Sequence, residues 1–244
     1  MEFLGEQNII VTNLTVSKSV ACLYHDSMPR ESKADRIKRC GKIFSKLEKL
    51  FPDTNCPLDT RSPFRLLVST ILSAQCTDVR VNIVTKKLFK ICRTPRDFVE
   101  IPQKELEELI RTAGLYRSKA RNIRAAAKKI LKQFGGRVPD TMEDLCSLPG
   151  VARKTANVVL NHGFAKNEGF VVDTHVGRLS RRMKISRHTD PVKVERDLME
   201  ITPREKWGTW SLLLVFHGRA TCSARNPKCD SCSVSALCPS KGSV

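Results

Sequence analysis

Apolar side chains recur at steps of three and four residues along most of the chain, and this pattern predicts a succession of helices. The pattern begins at about Ser32. The first helical segment carries Ile37, Cys40 and Leu47 on one face and ends before Pro52.

Capping residues and prolines mark where later helices begin. Ser62-Pro63 and Thr94-Pro95 each join an N-cap residue to a first-turn proline, and Thr77 precedes the helix between them. Further helices are expected over residues 103–112, 118–134, 140–146, 153–162, 174–184, 191–201 and 206–218. Strand signals are nearly absent, since the run at 170–172 is too short for a sheet. The chain is therefore expected to be all-α, with ten or so helices.

Residues 1–30 lack helical periodicity and are expected to form a flexible extension. Either Met28 is the true start of the protein or the extension is dispensable. The net charge of +18 over 244 residues favours a polyanionic partner, with nucleic acid first. The longest apolar run, 212–216, is far shorter than the roughly 20 residues of a membrane span, and no signal peptide is recognisable. We therefore expect no membrane association and a cytoplasmic location, nucleoid-associated if the source is prokaryotic.

The ten cysteines fall into two groups. Six are scattered and are expected to be buried, reduced thiols: Cys22, Cys40, Cys56, Cys76, Cys92 and Cys146. The other four share one loop with the spacing C-x6-C-x2-C-x5-C: Cys222, Cys229, Cys232 and Cys238. Four thiolates this close can surround Zn²⁺ or a [4Fe–4S] cluster, and the spacing alone leaves both open. Two disulfides fit poorly with a basic chain that lacks a signal peptide. Arg225 and Lys228 in the same loop either contact phosphate or are ordinary solvated charges.

A tight turn with the sequence Leu-Pro-Gly-Val-Ala-Arg-Lys joins two predicted helices at 148–154. The free N–H groups at the start of the second helix suit a phosphate, and Arg153 adds a forked cation. Lys154 lies in the first turn of that helix. The positive end of the helix dipole, like partial burial, would favour the neutral amine that a Schiff-base nucleophile needs. A solvated lysine is the commoner alternative.

Asp173 follows an apolar run and precedes Thr174. Its position is that of a helix N-cap. A carboxylate there could also stabilise positive charge on a sugar ring or handle protons for a nearby amine. His175 is expected to be a structural histidine.

Together these segments resemble the endonuclease III family of helix-hairpin-helix DNA glycosylases. The resemblance runs from about residue 31 to 240 and keeps the family's order and spacing. The matching segments are LSAQ at 72–75 with TD at 77–78, GLY at 114–116 with SKA at 118–120, LPGV at 148–151 with RKTANVV at 153–159, VDTH at 172–175, HGR at 217–219, and the four-cysteine loop.

The resemblance implies a fold of two helical domains with DNA along the cleft between them. Residues 31–55 would form an N-terminal helix that packs with the C-terminal domain. Residues 56–166 would form a six-helix barrel with the helix-hairpin-helix near 141–162. Residues 167–244 would form a second helical domain, in which the loop 222–238 holds a [4Fe–4S] cluster rather than zinc.

The resemblance also implies a bifunctional glycosylase and abasic-site (AP) lyase. It would act on double-stranded DNA that contains damaged pyrimidines or abasic sites. Apart from the resemblance, we expect a monomer, because nothing in the sequence suggests a self-complementary surface. Lys154 would attack the sugar C1′, and β-elimination would cut the strand on the 3′ side. Asp173 would be the essential aspartate, and Gln75 and Leu115 would fill the gap left by the flipped nucleotide. The remaining DNA contacts would come from Gly150, Val151, Ala152, Arg153, Arg225 and Lys228.

One residue departs from the family pattern, since Ala152 stands where the hairpin usually has a second glycine. Alanine keeps the backbone N–H but adds a methyl group near DNA, so we expect reduced affinity with activity retained. One alternative within the same fold is an adenine-mismatch glycosylase. Such enzymes usually lack the lysine and carry a second C-terminal domain, so the presence of Lys154 disfavours this alternative. Specificity for pyrimidine dimers or mismatched thymine stays open. A non-enzymatic DNA-binding module and a redox protein built on the cluster are the alternatives from other classes.

Overall fold

The computed structural model describes residues 31–243, and the expectations for residues 1–30 lie outside this part. In the described part the chain forms eleven α-helices and three short 3₁₀ segments, without a β-strand. The α-helices are α1 (Lys33–Leu50), α2 (Pro63–Leu72), α3 (Asp78–Ile91), α4 (Pro95–Glu100), α5 (Gln103–Leu109), α6 (Tyr116–Gln133), α7 (Met142–Cys146), α8 (Arg153–Gly163), α9 (Thr174–Arg182), α10 (Pro191–Ile201) and α11 (Trp207–Ala220). The all-α prediction is confirmed. Among residues 31–243 no helix is both long enough and apolar enough to cross a bilayer.

Local capping chemistry sets most helix starts where the sequence predicts them. The Ser62 hydroxyl accepts a hydrogen bond from the Arg65 backbone N–H (3.2 Å), with Pro63 in the first turn of α2. Thr94 and Asp97 form a reciprocal capping box at the start of α4. Each cap satisfies backbone donors that a helix start leaves unpaired.

Several helices differ from their predicted bounds by one or two residues, and the two on either side of Gly114 differ in a way that has a structural cause. The helix expected over 103–112 ends at Leu109, and a 3₁₀ segment, Arg111–Ala113, completes the run. The helix expected from residue 118 begins at Tyr116, because Leu115 takes a left-handed conformation and forms its N-cap. The intervening Gly114 also has a positive φ, of 69°. Gly114, Leu115 and Tyr116 form a sharp corner that helical periodicity does not reveal.

The scattered cysteines are not all buried. Cys40 and Cys92 are buried, whereas Cys56 and Cys76 are partly exposed. Cys146 is exposed, so the expectation of a buried thiol is wrong there. It is the last residue of the short helix α7, which buries Leu145 instead.

Buried apolar side chains within residues 31–243 form two clusters. One contains the buried residues of α2 to α8, from Leu58 to Leu160. The other joins α1 to α9, α10 and α11. Within it, Phe44 stacks on Trp210 with ring centroids 4.0 Å apart and planes 7° apart. The domain boundaries expected near residues 55 and 166 stay a prediction.

A buried carboxylate on α10 links the two clusters. Glu195, only 4% exposed, accepts hydrogen bonds from the Arg153 Nε (2.7 Å) and Nη2 (3.1 Å) at the start of α8. The Asn157 side-chain amide donates to the same carboxylate at 2.9 Å. Gly169 packs against this group, and a Cβ there would lie 2.2 Å from a Glu195 carboxylate oxygen. No side chain larger than hydrogen fits without moving the carboxylate.

We predict that Gly169→Ala lowers the free energy of unfolding by roughly 1–3 kcal/mol, as overpacking of an interior does. The added methyl group would displace Glu195 from Arg153 and Asn157. Thermal unfolding followed by circular dichroism measures the effect.

Gly41→Ala on α1 is the matched control, because its Cβ would meet no atom within 4 Å. There the substitution should stabilise the helix by about 0.5–1 kcal/mol. An unchanged or raised midpoint for Gly169→Ala would contradict the tight packing around Glu195.

Candidate active site

Lys154 and Asp173 line the same cavity, of about 100 Å³. Lys154 lies in the first turn of α8, and Asp173 is the N-cap of α9. The cavity is also lined by Ser73, which follows α2, and by Val215 on α11. Residues distant in sequence thus place an amine and a carboxylate around one opening.

Asp173 fulfils the structural role that its position predicts. Its Oδ1 accepts a hydrogen bond from the Val176 backbone N–H at 2.8 Å. In the described part of the chain, the other carboxylate oxygen forms no hydrogen bond within the protein. A helix cap uses only one of the two oxygens, so the same residue can also face chemistry in the cavity.

The start of α8 is uncapped by any side chain. Its N-cap residue is Ala152, with φ −93° and ψ 169°, which alanine adopts without strain. The first backbone N–H groups of the helix therefore have no side-chain acceptor, and such donors bind anions. Lys154 is exposed at this position, so the partial burial that the sequence analysis allowed for it is absent.

The turn before α8 requires its glycine for two reasons. Gly150 has φ +79°, and a Cβ on it would lie 2.8 Å from the Cβ of Asn122 on α6. The Val151 N–H closes the turn on the Leu148 carbonyl at 3.1 Å. Helices α7 and α8 flank this turn, and their assignment as the helix-hairpin-helix expected near 141–162 stays a prediction.

Arg153 has a partner that the sequence does not reveal. Two of its guanidinium nitrogens bind Glu195, although its side chain remains 43% exposed. The unused face of a guanidinium still carries donors, so a phosphate contact by Arg153 stays a prediction.

Gln75 and Leu115 share an unusual backbone conformation. Both are exposed, with φ of 53° and 47°, in the left-handed region that non-glycine residues rarely occupy. Leu115 leaves 58% of its surface in solvent. Such strain clusters at functional sites, where surrounding structure holds it in place.

A second, open cavity of about 420 Å³ adjoins the first. Gln75 and His175 line it, and Asp78 and Arg219 line both cavities. An ion pair joins Arg219 Nη2 to Asp78 Oδ2 at 2.9 Å. The sequence assigned neither residue a role, since a first-turn aspartate and a basic residue in a last turn are common helix features.

Two histidines lie at these cavities. Burial is the main cause that lowers the pKa of His162 and of His175, so both are expected to be neutral near pH 7. His175 lies beside Gly218 and Arg178, with its Nδ1 3.2 Å from an Arg178 nitrogen. This packing agrees with the structural role expected for it, although its position at the cavity was not foreseen.

The four C-terminal cysteines line one cavity, and none of them is in a disulfide. Arg182 on α9 anchors the loop by donating to the Cys222 Sγ (3.3 Å) and to the Ser223 carbonyl (2.6 Å). The Cys232 Sγ lies 3.6 Å from the Nε2 of His217. Within residues 31–243 no three His, Cys, Asp or Glu side chains converge tightly enough to hold one metal ion.

Arg225 and Lys228 are exposed in the first part of this loop. The Lys228 backbone N–H donates to the Thr221 carbonyl at 2.9 Å, which ties the loop back to the end of α11. Both side chains project from a loop that is fixed at its base.

Comparison with known proteins identifies the family. Residues 68–204 match the model of a family described as "HhH-GPD superfamily base excision DNA repair protein". Endonuclease III of Synechocystis sp. is 49% identical over 207 residues, covering 85% of this chain and 94% of the relative. Endonuclease III of Escherichia coli is 39% identical over 213 residues, covering 87% and 99%.

A solved structure of a trapped endonuclease III–DNA covalent intermediate, an estranged-adenine complex, superposes with a TM-score of 0.79. It is 44% identical and covers 83% of this chain and 95% of that chain. The chain therefore belongs to the endonuclease III family, within the HhH-GPD superfamily of base excision DNA repair proteins, and it is a DNA glycosylase with AP lyase activity.

Proposed function

We propose that this enzyme removes oxidised pyrimidines from duplex DNA and then cuts the strand 3′ to the abasic site through a Schiff base on Lys154. The observation that carries the proposal is the cavity that Lys154 and Asp173 share beside the helix-hairpin-helix. A lysine at an uncapped helix start and a carboxylate with an unused oxygen both line it.

DNA phosphate would bind at the hairpin, on the unpaired N–H groups at the start of α8. Arg225 and Lys228 would add contacts from the cysteine loop. The charge of +18 supplies a further attraction that is independent of sequence and weakens with salt. The complex with DNA formed by a relative of the same fold supports this placement.

Access to the sugar C1′ requires the damaged nucleotide to leave the base stack. Flipping costs a few kcal/mol, and least at a damaged base. Gln75 and Leu115 are exposed and held in strained conformations, and Gln75 lines the open cavity beside the one that contains Lys154, which suits side chains that enter the vacated stack. Insertion of these side chains would offset part of the cost of unstacking.

The chemistry begins when the Lys154 amine forms a bond to C1′ while the N-glycosidic bond breaks. The electron pair of that bond leaves with the base, which takes up a proton. Asp173 would stabilise the positive charge on the sugar and accept a proton from the amine. Ring opening gives a protonated imine between Lys154 and C1′.

Strand cutting follows from this imine. Loss of a proton from C2′ drives β-elimination, and the 3′ phosphate leaves with the electron pair of the C3′–O bond. Water then hydrolyses the imine and releases Lys154.

The cofactor we propose is a [4Fe–4S] cluster held by Cys222, Cys229, Cys232 and Cys238. The donor set fits, because four thiols outside any disulfide line one cavity, and four cysteine thiolates are the usual ligands of such a cluster. When bound, the cluster would supply a rigid fold for the loop rather than redox chemistry in the reaction. Arg225 and Lys228 would then be presented to DNA in fixed positions. We further propose that the enzyme acts as a monomer.

Lys154→Ala should abolish covalent trapping by borohydride on a duplex that carries one thymine glycol, because no amine remains to form the imine. DNA affinity should stay close to that of wild type. Lys128→Ala, an exposed lysine on α6, is the matched control and should trap normally. Failure of the wild type to form an adduct would point to a monofunctional glycosylase or to another lesion, which the same assay on mismatched thymine and a pyrimidine dimer distinguishes.

Asp173→Asn should keep the α9 cap, since asparagine caps helices as well as aspartate does. The negative charge is lost, so the single-turnover excision rate should fall by about 10²–10⁴-fold. Asp190→Asn is the matched control, because Asp190 caps α10 in the same way through the Lys193 N–H at 2.9 Å. Equal activity of the two variants would leave Asp173 with a structural role alone.

Cys232→Ser should lose the visible absorbance of an iron–sulfur cluster and lower the unfolding midpoint. Wild type should contain iron and acid-labile sulfide in equal amounts. Cys146→Ser, at an exposed thiol outside the loop, should change neither property. Purified protein that contains zinc without sulfide would replace the proposed cluster with a zinc site.

A further inference from the structure

A lysine on α6 is buried without a counter-ion. Lys119 is 4% exposed, and its Nζ donates hydrogen bonds to the Leu72 and Ala113 carbonyls, both at 2.7 Å. Within the described residues no carboxylate forms an ion pair with it. Burial lowers the pKa of Lys119 from its ordinary value, and the nearby Cys76 partly opposes that shift.

A buried ammonium costs free energy unless its donors are used. Methionine would fill similar space without that cost, so the distinctive contribution of Lys119 lies in the two carbonyls it binds. Both carbonyls end a helical segment. Leu72 is the last residue of α2, and Ala113 is the last residue of the 3₁₀ segment. Carbonyls at helix ends lack partners within the helix and attract a cation.

The two carbonyls lie just before the two strained residues of the site. Leu72 precedes Gln75 by one short turn, which the Cys76 N–H closes on the Ser73 carbonyl at 3.1 Å. Ala113 precedes Leu115, with Gly114 between them at φ 69°. Left-handed conformations cost free energy in non-glycine residues, so each loop needs an external contact to hold it.

Lys119 is also tied to Leu115 through the backbone. It lies one turn into α6, and its backbone N–H donates to the Leu115 carbonyl at 3.0 Å, in the first turn of the helix. Lys119 thereby contacts Ala113 and Leu115 and reaches across to Leu72, in the segment that leads to Gln75. Its side chain directly links two loops that are separate in sequence.

We propose that Lys119 is a positioning residue that holds the Gln75 and Leu115 loops at a fixed separation, so that both side chains enter the DNA stack together. This inference rests on the roles proposed above for Gln75 and Leu115. Lys119 is buried beneath the loops and touches no DNA. Its ammonium sets the geometry of the protein before DNA arrives, which lowers the ordering cost of binding.

The test compares Lys119→Met with Lys128→Met, which removes the same charge from an exposed site on the same helix. Each variant is assayed well below its unfolding midpoint, in single-turnover excision of thymine glycol. Lys119→Met should be slower by about 10- to 100-fold, as expected when positioning of a reacting group is loosened. Lys128→Met should stay within about twofold of wild type, as surface changes usually do.

A second measurement reports the geometry directly. A duplex with 2-aminopurine opposite a tetrahydrofuran abasic analogue binds without being cut, and its fluorescence reports unstacking of the orphaned base. At saturating protein, wild type and Lys128→Met should give the same increase, and Lys119→Met a smaller one.

The same substitution in a Gln75→Ala/Leu115→Ala background separates positioning from general stability. If Lys119 acts through these two side chains, Lys119→Met should slow excision there by less than about threefold, since coupled residues are not additive. An equal loss in both backgrounds, or an unchanged fluorescence signal, would overturn the proposal. Lys119→Gln, which keeps a donor without the charge, takes the place of Lys119→Met if that variant does not fold, and the same comparisons apply.

Borohydride trapping by the wild type keeps this inference separate from the proposed function. Absence of a wild-type adduct contradicts the lysine mechanism. If the wild type forms a normal adduct but Lys119→Met and Lys128→Met have the same excision rate and fluorescence increase, the role of Lys119 is contradicted and the lysine mechanism is not.

Discussion

The interaction between Glu195 and the start of α8 is the constraint on which the site depends. Glu195 belongs to α10, whereas Arg153 and Asn157 belong to the hairpin helix. Lys154 follows Arg153 directly, so the carboxylate fixes where the amine lies relative to the C-terminal helices. Only the carboxylate is buried, since the Arg153 side chain is 43% exposed, but three hydrogen bonds on Glu195 join the two clusters at this point.

That link also explains why an amine and a carboxylate from different parts of the chain share a cavity. Asp173 follows Gly169 and Phe170, and Gly169 packs directly against the Glu195 carboxylate. The same buried group therefore sets the positions of α8 and of the segment that leads into α9. Glu195 therefore helps to position both Lys154 and Asp173, and the two residues need no direct contact with each other to share the cavity.

The features that the sequence predicted are local in origin. Caps such as Ser62 and Thr94 act within one helical turn, so their partners are visible in the sequence. The buried partners are not visible in this way. Glu195 lies 42 residues from Arg153, and in the sequence it is one charge among several on an amphipathic helix. Lys119 is likewise one of many basic residues on α6, and only the converging carbonyls of Leu72 and Ala113 distinguish it.

The candidate site shows the same division. Lys154, Asp173 and the four cysteines were found through spacing and motif, since chemistry there depends on residue type. The Asp78–Arg219 ion pair and the burial that lowers the pKa of His162 become apparent only when α3, α8 and α11 are brought together. Hydrophobic periodicity in the sequence indicates which face of a helix is apolar, but it does not indicate which other helix packs against that face.

The missing side-chain cap on α8 has a thermodynamic consequence. A serine or aspartate in place of Ala152 would complete the helix and occupy the donors that a phosphate needs. Without such a cap, the N–H groups of the first turn are hydrated in the free protein and remain available to a bound anion. If DNA phosphate binds there as proposed, occupancy of the hairpin is linked to folding stability through the affinity for DNA. The enzyme bound to duplex DNA is then more stable than the same enzyme free in solution.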